Sequence, residues 1–342
     1  MTAMTVRVAI FGSSGFAGAE LLRLCAAHPS FTPVRLFGDS QAGQLLEQVH
    51  PQLALAYPNA VVERYGEDSL DGIDLVFAAL PHGQSQKLAH EIIARDLAFV
   101  DLGADFRLRD PAVYKQWYGE DHEAPELLDR FVYGIPEIGR EAIRGTRYVA
   151  AAGCYPTAAI LALKPLVDAG LIDPASIVVD AASGVTGAGR ALKESSAFTT
   201  VAESFSAYGL QTHRHTAEME ATLGARVLFT PHLAPMNRGI LATCYATAAG
   251  RMDADAPFEA LHAAYADEPF VHATRLLPAT KWTLGSNAVQ ITARYDARTG
   301  RVLAVSALDN LVKGAAGQMI QCANLMLGID ESAGLANVGV YP

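Results

Sequence analysis

The sequence predicts an α/β protein in two parts: a doubly wound parallel sheet, and then an α+β part with a mixed, largely antiparallel sheet. Apolar runs separated by helical segments occupy the first 150 residues or so, which is the spacing of a parallel sheet. The first of these runs leads through a glycine-rich turn into a helical pattern. Further along, residues 289–308 contain two alternating strands around a turn, the pattern of an antiparallel hairpin.

The bulk composition is that of an ordinary soluble globular chain. Its 342 residues suffice for two domains with full cores, and 51% of them are apolar against 18% charged. The chain has 26 basic and 36 acidic residues, a formal net charge of −10. An acidic chain binds nucleic acid or anionic membranes poorly, so we expect a small-molecule substrate and neither of those partners.

Targeting and cysteine signals favour the cytoplasm. No basic segment followed by a short apolar stretch opens the sequence, and no apolar run approaches the length of a membrane span. The four cysteines are Cys25, Cys154, Cys244 and Cys322. Because they are scattered, they predict neither a disulfide framework nor a zinc site, and no metal is expected.

The first elements follow directly from residue type. Residues 6–11 form a β-rich run, and residues 19–28 have the apolar spacing of a helix that Pro29 stops. Three further buried strands are predicted at residues 34–39, 74–81 and 98–105.

The glycines between the first strand and helix predict a dinucleotide site. Gly12, Gly15 and Gly18 let the backbone approach a pyrophosphate, and the helix N-terminus supplies N–H groups and partial positive charge. The second strand ends at Gly38-Asp39-Ser40, where the adenosine ribose is expected. Asp39 favours the free 2′-hydroxyl of NAD, whereas Ser40 could accept the 2′-phosphate of NADP, so both cofactors stay open at this point.

The second part of the chain has a different pattern of predicted strands. A strand is predicted over residues 176–184, and two longer ones within residues 226–235 and 239–250. After the hairpin, the tail is expected to form a loop and then a helix that ends at Gly328.

Cys154 lies in AAGCYPTAA, residues 151–159, where an apolar strand changes to an apolar helix. If Pro156 begins that helix, the thiol lies at a helix N-terminus, where the dipole and free N–H groups stabilise a thiolate and lower its pKa. The same N–H groups could hold an oxyanion on a carbon bonded to the sulfur. We expect the other three cysteines to be small buried hydrophobic residues.

A partner for proton transfer is offered by the segment THRHTAEME, residues 212–220. It supplies His213 and His215, with Glu218 and Glu220 beyond them. A cysteine with a distant histidine in a chain that binds a dinucleotide predicts thioester chemistry, in which hydride transfer interconverts a thioester and a thiohemiacetal. Five other histidines are expected to be structural: His50, His82, His90, His232 and His262.

Three loops carry further polar candidates. Arg107, after a strand in GADFRL with Asp105, is expected to hold a phosphate or carboxylate, or else to form a surface ion pair. The segment SGVTGAGR, residues 183–190, ends in Arg190 and is either a backbone approach to ligand or a plain turn. Asn310 and Lys313 open the last loop and are expected either to face the nicotinamide carboxamide or to be structural.

Seven segments in order, GSSGFAG, GADFRL, AAGCYPTAA, SGVTGAGR, THRHTAE, GILATCYA and DNLVKGAAGQ, closely resemble the N-acetyl-gamma-glutamyl-phosphate reductase family over essentially the whole chain. GCYPTA together with HRHT is highly specific, whereas the glycine loop is shared with aspartate-semialdehyde dehydrogenases. The resemblance implies NADPH-dependent reduction of N-acetyl-L-glutamyl 5-phosphate to N-acetyl-L-glutamate 5-semialdehyde, with release of phosphate, in arginine biosynthesis.

The resemblance also implies an organisation and a set of site residues. Residues 1–150 would form a Rossmann-type domain that the C-terminal helix within 312–342 rejoins, and residues 151–311 a catalytic domain that forms the interface of a homodimer or homotetramer. Cys154 would be the nucleophile and His213 the catalytic base. The predicted substrate contacts are Arg107, His215, Glu218 and Arg190. The predicted NADP(H) contacts are Gly12, Ser13, Ser14, Gly15, Phe16, Ala17, Gly18, Ser40, Pro81, Ser183, Gly184, Gly187 and Asn310.

Two departures from the family are visible, and other functions remain open. Ala217 stands where the family often has proline, and Asp39 weakens the implied preference for NADPH. The same chemistry on aspartyl phosphate would make the chain an aspartate-semialdehyde dehydrogenase. Amino-adipyl phosphate on an acidic carrier protein would make it a lysine-pathway reductase, against which the net charge argues. A non-enzymatic NADP sensor would have no need of Cys154 or the paired histidines.

Overall fold

The computed structural model describes residues 5–66 and 68–341, which divide into two compact units. The first unit comprises residues up to Lys115 together with Glu120–Ala152 and Ala315–Leu335, and the second comprises Gln116–Gly119, Gly153–Gly314 and the residues from Ala336 onward. The sequence placed the whole of 312–342 with the first part, but the last residues lie in the second unit. They do so because backbone hydrogen bonds join Ala336 to Asn287 and Val340 to Leu284, each at 2.7 Å.

The elements are as follows in chain order. The strands are β1 Val6–Phe11, β2 Phe31–Phe37, β3 Leu75–Ala78, β4 Ala98–Asp101, β5 Val132–Gly134, β6 Tyr148–Ala151, β7 Val178–Ser183, β8 Ser206–Ala207, β9 Leu228–Leu233, β10 Ile240–Thr247, β11 Val271–Ala273, β12 Val289–Asp296 and β13 Arg301–Leu308. The helices are α1 Phe16–Ala26, α2 Leu46–Val49, α3 Ser85–Ala94, α4 Pro111–Tyr118, α5 Pro136–Arg144, α6 Cys154–Asp168, α7 Phe198–Val201, α8 His215–Leu223, α9 Ala256–Ala264 and α10 Gly317–Met326.

The first unit confirms the predicted doubly wound sheet. Over the described residues its six strands have the order β2-β1-β3-β4-β6-β5, and every neighbouring pair is parallel. Helix α3 packs on one face, where Phe11, Phe99 and Phe131 belong to the apolar core. Helix α10 contacts both α1 and α5, and its Cys322 lies against Gly134 of β5.

The ends of several elements differ from the predicted ones. Helix α1 begins at Phe16, three residues early, because Gly15 is already in extended conformation and caps it. The third and fourth predicted strands stop at Ala78 and Asp101, after which the chain turns into loops at the carboxyl edge of the sheet. Helix α10 ends at Met326, with Gly328 just beyond it at a φ of +67°.

The second unit contains the predicted mixed sheet. Its described strands have the order β11-β12-β13-β10-β7-β9-β8, and four of the six neighbouring pairs are antiparallel. The hairpin is β12–β13, so that prediction is confirmed. Helix α6 packs against β10 and β13 of this sheet and against helices α8 and α9.

Among residues 5–66 and 68–341, no helix has both the length and the apolar character that spanning a membrane would require.

Candidate active site

Cys154 is the first residue of α6, two positions before the predicted helix start at Pro156. The helix begins early because Gly153 is extended, with φ −67° and ψ 157°, and the chain turns helical immediately afterwards. Cys154 is half-buried, whereas the other three cysteines are buried as predicted. Burial raises the pKa of both Cys25 and Cys244 to about 12. Among the cysteines, Cys154 therefore combines access to solvent with a helix N-terminus.

The start of α6 is held by hydrogen bonds on both sides of Gly153. The Gly153 carbonyl accepts bonds from the amide and the hydroxyl of Thr157, each at 2.9 Å. The Gly153 amide donates to Oε2 of Glu218 at 2.9 Å. Glu218 lies in the first turn of α8 and is only 1% exposed. The carboxylate predicted to bind substrate therefore also secures the residue that precedes the thiol.

A glycine near the C-terminus packs directly on Cys154. A π-helical turn, Val312–Ala316, begins after Asp309, whose Oδ1 accepts hydrogen bonds from the amides of Leu311 and Val312 at 2.8 and 3.2 Å. In this turn, a Cβ atom on Gly314 would lie only 2.7 Å from Cβ of Cys154. Sequence reasoning missed Gly314, because no local pattern shows that it meets a residue 160 positions earlier in the chain.

His213 and His215 are adjacent, with ring centroids 4.7 Å apart. The backbone amide of His215 donates a hydrogen bond to Nδ1 of His213 at 3.2 Å. Since Nδ1 accepts this bond, the neutral His213 ring carries its proton on Nε2. In this arrangement Nε2 can donate a hydrogen bond but cannot accept a proton.

Aromatic rings surround His213. The rings of Tyr155, Tyr208 and Phe229 lie 5.6, 5.6 and 5.3 Å from it, centroid to centroid, in edge-to-face arrangements. Burial, followed by the positive charge of His215, lowers the pKa of His213 to about 3. The imidazole is therefore neutral near pH 7.

The two tyrosines form a hydrogen-bonded chain that sequence analysis did not identify. The Tyr208 hydroxyl donates to the Tyr155 hydroxyl at 3.1 Å, and the Tyr155 hydroxyl donates to the carbonyl of His232 at 3.0 Å. Burial raises the pKa of Tyr208 to about 12 and that of Tyr155 well above its ordinary value. Both phenols stay protonated at neutral pH, so they position His213 as neutral groups.

His215 faces the buried carboxylate. Its Nε2 lies 3.8 Å from Oε1 of Glu218, close enough for an ion pair when the imidazole is protonated. The structure thus brings together Cys154, His213, His215 and Glu218 of the predicted set, with Gly314 and the tyrosine pair as additions.

The second glycine loop is held by Asn310. The Asn310 side chain accepts a hydrogen bond from the Gly239 amide at 2.8 Å and donates to the Thr186 hydroxyl at 3.0 Å. A Cβ atom on Gly184 would lie 2.6 Å from the carbonyl oxygen of Asn237, so glycine is needed there. Gly187 and Ser183 adjoin the same loop, Arg190 is exposed at its end, and Lys313 is fully buried.

The first glycine loop, in the first unit, has the shape of a pyrophosphate cradle. Gly12 has a φ of +75°, and a Cβ atom there would overlap the carbonyl oxygen of Ala79, while one on Gly18 would overlap that of Gly12. Ser13 bonds the Phe37 carbonyl through its amide and its hydroxyl, each at 3.0 Å. The predicted contacts Ser14, Gly15, Phe16 and Ala17 complete this turn, and His50 Nε2 lies 3.0 Å from the Ser13 carbonyl. The residues present therefore fit a dinucleotide.

The loops after β3 and β4, also in the first unit, share a buried carboxylate network. Asp105 accepts hydrogen bonds from the amides of Gly83 and Ser85 at 2.6 and 3.1 Å. Arg107 is 9% exposed and donates to the Leu102 carbonyl at 2.6 Å. Burial raises the pKa of Asp101, which accepts from Ser85, to about 7. Two predicted cofactor contacts, Pro81 and Ser40, are exposed.

Comparisons with known proteins agree with this architecture. Two family models match: "Semialdehyde dehydrogenase, NAD binding domain" over residues 7–146 and "Semialdehyde dehydrogenase, dimerisation domain" over residues 154–310. The N-acetyl-gamma-glutamyl-phosphate reductase of Desulforudis audaxviator is 48% identical over 98% of this chain and 100% of its own length. The protein of that name from Symbiobacterium thermophilum is 47% identical over 99% and 100%.

Solved structures share the fold at low sequence identity. Aspartate semialdehyde dehydrogenase II of Vibrio cholerae, complexed with ASA, matches with a TM-score of 0.71 and 16% identity, over 95% of this chain and 99% of that one. The Candida albicans aspartate semialdehyde dehydrogenase with NADP matches with a TM-score of 0.70 and 15% identity, over 94% and 98%.

Proposed function

Because the chain belongs to the N-acetyl-gamma-glutamyl-phosphate reductase family, an oxidoreductase family, we propose that it reduces N-acetyl-L-glutamyl 5-phosphate to N-acetyl-L-glutamate 5-semialdehyde with NADPH, releasing phosphate. This reaction is a step of arginine biosynthesis. The observation that carries the proposal is the half-buried Cys154 at the start of α6, next to Gly314 and in the same unit as the neutral His213, in a chain that matches a named reductase over 98% of its length.

The cofactor is assigned to the glycine cradle. Gly12, Gly15 and Gly18 would hold the pyrophosphate of NADP(H), which supplies the hydride for the reduction when it is bound. Ser183, Gly184, Gly187 and Asn310 are assigned to the nicotinamide half, with Asn310 holding its loop through Thr186 and Gly239.

The first chemical step is acyl transfer to Cys154. The thiolate attacks the acyl carbon, a C–S bond forms, and the C–O bond to phosphate breaks, so that phosphate leaves with the bonding electrons. Amides of the first turn of α6 stabilise the oxygen on the attacked carbon. We assign Arg107 and Arg190 to the anionic groups of the substrate, since a guanidinium matches phosphate and carboxylate oxygens.

The second step is reduction of the Cys154 thioester. Once the thioester carbon has gained a hydride, its oxygen carries a negative charge that the Nε2–H of His213 stabilises. The C–S bond then breaks, the aldehyde forms, and Cys154 leaves as the thiolate. His213 therefore acts as a hydrogen-bond donor, and Glu218 keeps Gly153 and the thiol in place.

The second unit also offers a surface for self-association. Leu241, Tyr245, Leu303 and Val305 are half-buried on one face of the neighbouring strands β10 and β13. The family model for this unit is named a dimerisation domain. We assign this face to a second copy of the chain in a homodimer or homotetramer, and we place the enzyme in the cytoplasm.

The test is the reverse reaction, followed at the absorbance of NADPH. N-acetylglutamate semialdehyde, phosphate and NADP⁺ should give phosphate-dependent reduction of NADP⁺, which Cys154→Ser abolishes and the buried-cysteine control Cys244→Ala retains. Activity with aspartate semialdehyde alone would keep the mechanism and change the substrate. Unchanged activity in Cys154→Ser would refute the proposal, and a folded protein that binds NADP⁺ but accepts no aldehyde would favour a sensor.

A further inference from the structure

The loop that follows β2, at the edge of the glycine cradle, contains no basic residue of its own. Residues 38–45, which follow β2 where the adenosine ribose is expected, contain no lysine or arginine, and Asp39 is exposed among them. A 2′-phosphate needs a positive partner, usually an arginine, whereas an acidic side chain there favours a free 2′-hydroxyl. A cation for NADP(H) must therefore come from another segment.

The structure brings one such segment to this loop. The amide of Gly38 donates to the carbonyl of Glu63 at 3.0 Å, and the amide of Gly43 donates to that of Val62 at 2.8 Å. The amide of Val62 in turn donates to Gln44 at 2.9 Å. Residues 62–63 are therefore hydrogen-bonded to the loop on both sides of Asp39, although Glu63 lies 25 positions after Gly38 in the sequence.

This pairing places Arg64 beside Gly38. Phe37 and Glu63 form an isolated parallel β-bridge, and Gly38 and Arg64 are the residues that directly follow the two bridged ones. Alternation puts residue 64 on the same face as Val62, whose Cγ1 lies 2.8 Å from the position of a Cβ on Gly38. Ser14 of the glycine loop reaches that same position at 3.2 Å.

The neighbouring arginine is already used. Arg35 donates to Oε2 of Glu63 at 2.8 Å, on the opposite face of the pairing. Arg64 is exposed, and within residues 5–66 and 68–341 it makes no ion pair. Its guanidinium is available to an anion at the edge of the cradle.

We propose that Arg64 binds the 2′-phosphate of NADP(H) and is the residue that gives this chain its preference for the phosphorylated cofactor. Asp39 opposes it, because its carboxylate repels the phosphate. This assignment rests on the proposed use of NADP(H). It explains how a chain with an acidic residue after β2 accommodates a 2′-phosphate.

Isothermal titration of the full chain with NADP⁺ and with NAD⁺ tests the assignment without any substrate. Arg64→Gln should weaken NADP⁺ binding about tenfold or more and change NAD⁺ binding by less than about twofold, because a charge-assisted bond is lost only with the 2′-phosphate. Arg64→Lys should fall between the two. Asp39→Asn should strengthen NADP⁺ binding selectively.

The matched control is Arg144→Gln, which removes an exposed arginine of the same unit that pairs with Glu141 at the end of α5. It should leave both affinities unchanged. Equal weakening of both nucleotides by Arg64→Gln, or no weakening of NADP⁺, would overturn the assignment. So would a native chain that binds NAD⁺ alone, although the acyl-phosphate chemistry would then stand with NADH. Selective loss of NADP⁺ binding in a chain that reduces no acyl phosphate would instead support Arg64 and refute the reductase proposal.

Discussion

Replacing Gly314 by alanine adds one methyl group where the π-helical turn meets the nucleophile. The new Cβ would lie 2.7 Å from Cβ and 3.3 Å from Cα of Cys154, and 3.3 Å from Cδ1 of Leu308. Carbon atoms pack at about 3.5–4.0 Å, so Cys154 or the turn must move by about 1 Å. Neither can yield through a flexible side chain, because the contact is with the Cβ and Cα atoms at the start of α6.

The energetic and kinetic effects of this shift differ in size. Overpacking of this kind costs about 1–3 kcal/mol of folding free energy, which corresponds to a modest fall in Tm. A displacement of about 1 Å at a reacting atom can lower the rate by about 100-fold. We therefore expect Gly314→Ala to remain folded while kcat for the aldehyde reaction falls on the order of 10- to 100-fold.

Three measurements on purified Gly314→Ala separate these effects. They are kcat with NADP⁺, phosphate and the aldehyde, the rate of Cys154 alkylation by iodoacetamide, and a thermal melt. Gly250→Ala is the control, because a Cβ at Gly250 meets no atom within 4 Å. If Gly314→Ala kept the activity and the alkylation rate of the native chain, the argument that this glycine positions the thiol would be wrong.

Three further predictions concern protons. Because burial lowers the pKa of His213 to about 3, the pH dependence of kcat should show no ionisation of this imidazole between about pH 5 and 7. His213→Asn should lower kcat by about 100-fold or more, while Cys154 can still be alkylated. A His213-dependent acid limb near pH 6 would refute this prediction. Burial raises the pKa of Asp101 to about 7. The protonated carboxyl therefore stabilises the fold at acidic pH, and this stability is lost as the pH rises from about 4 to about 7. Asp101→Asn should accordingly raise Tm at pH 8 but not at acidic pH. Burial lowers the pKa of His28, whose Nδ1 accepts hydrogen bonds from the amides of Ser30 and Phe31. The free energy of unfolding should therefore fall as the pH drops below about 6.5. This dependence of stability on pH should be weaker in His28→Gln.

Strong local patterns made much of the fold predictable. The run of residues 6–11, the glycine turn and the β12–β13 hairpin carry their information within a few neighbouring residues, and the structure contains all three. Short elements such as β8, two residues long, exist only because a neighbouring strand pairs with them, and no local pattern predicts them.

The sequence by itself determined the fold class, the helix-start cysteine and the segment with two histidines, because glycine, proline and cysteine leave local signatures. Only the tertiary structure decided that Gly314 packs on Cys154, that Glu218 binds the Gly153 amide, that His213 carries its proton on Nε2, and that Arg64 follows the residue bridged to Phe37. These relations join residues up to 160 positions apart, and they arise from packing and hydrogen-bond geometry that no local sequence pattern encodes.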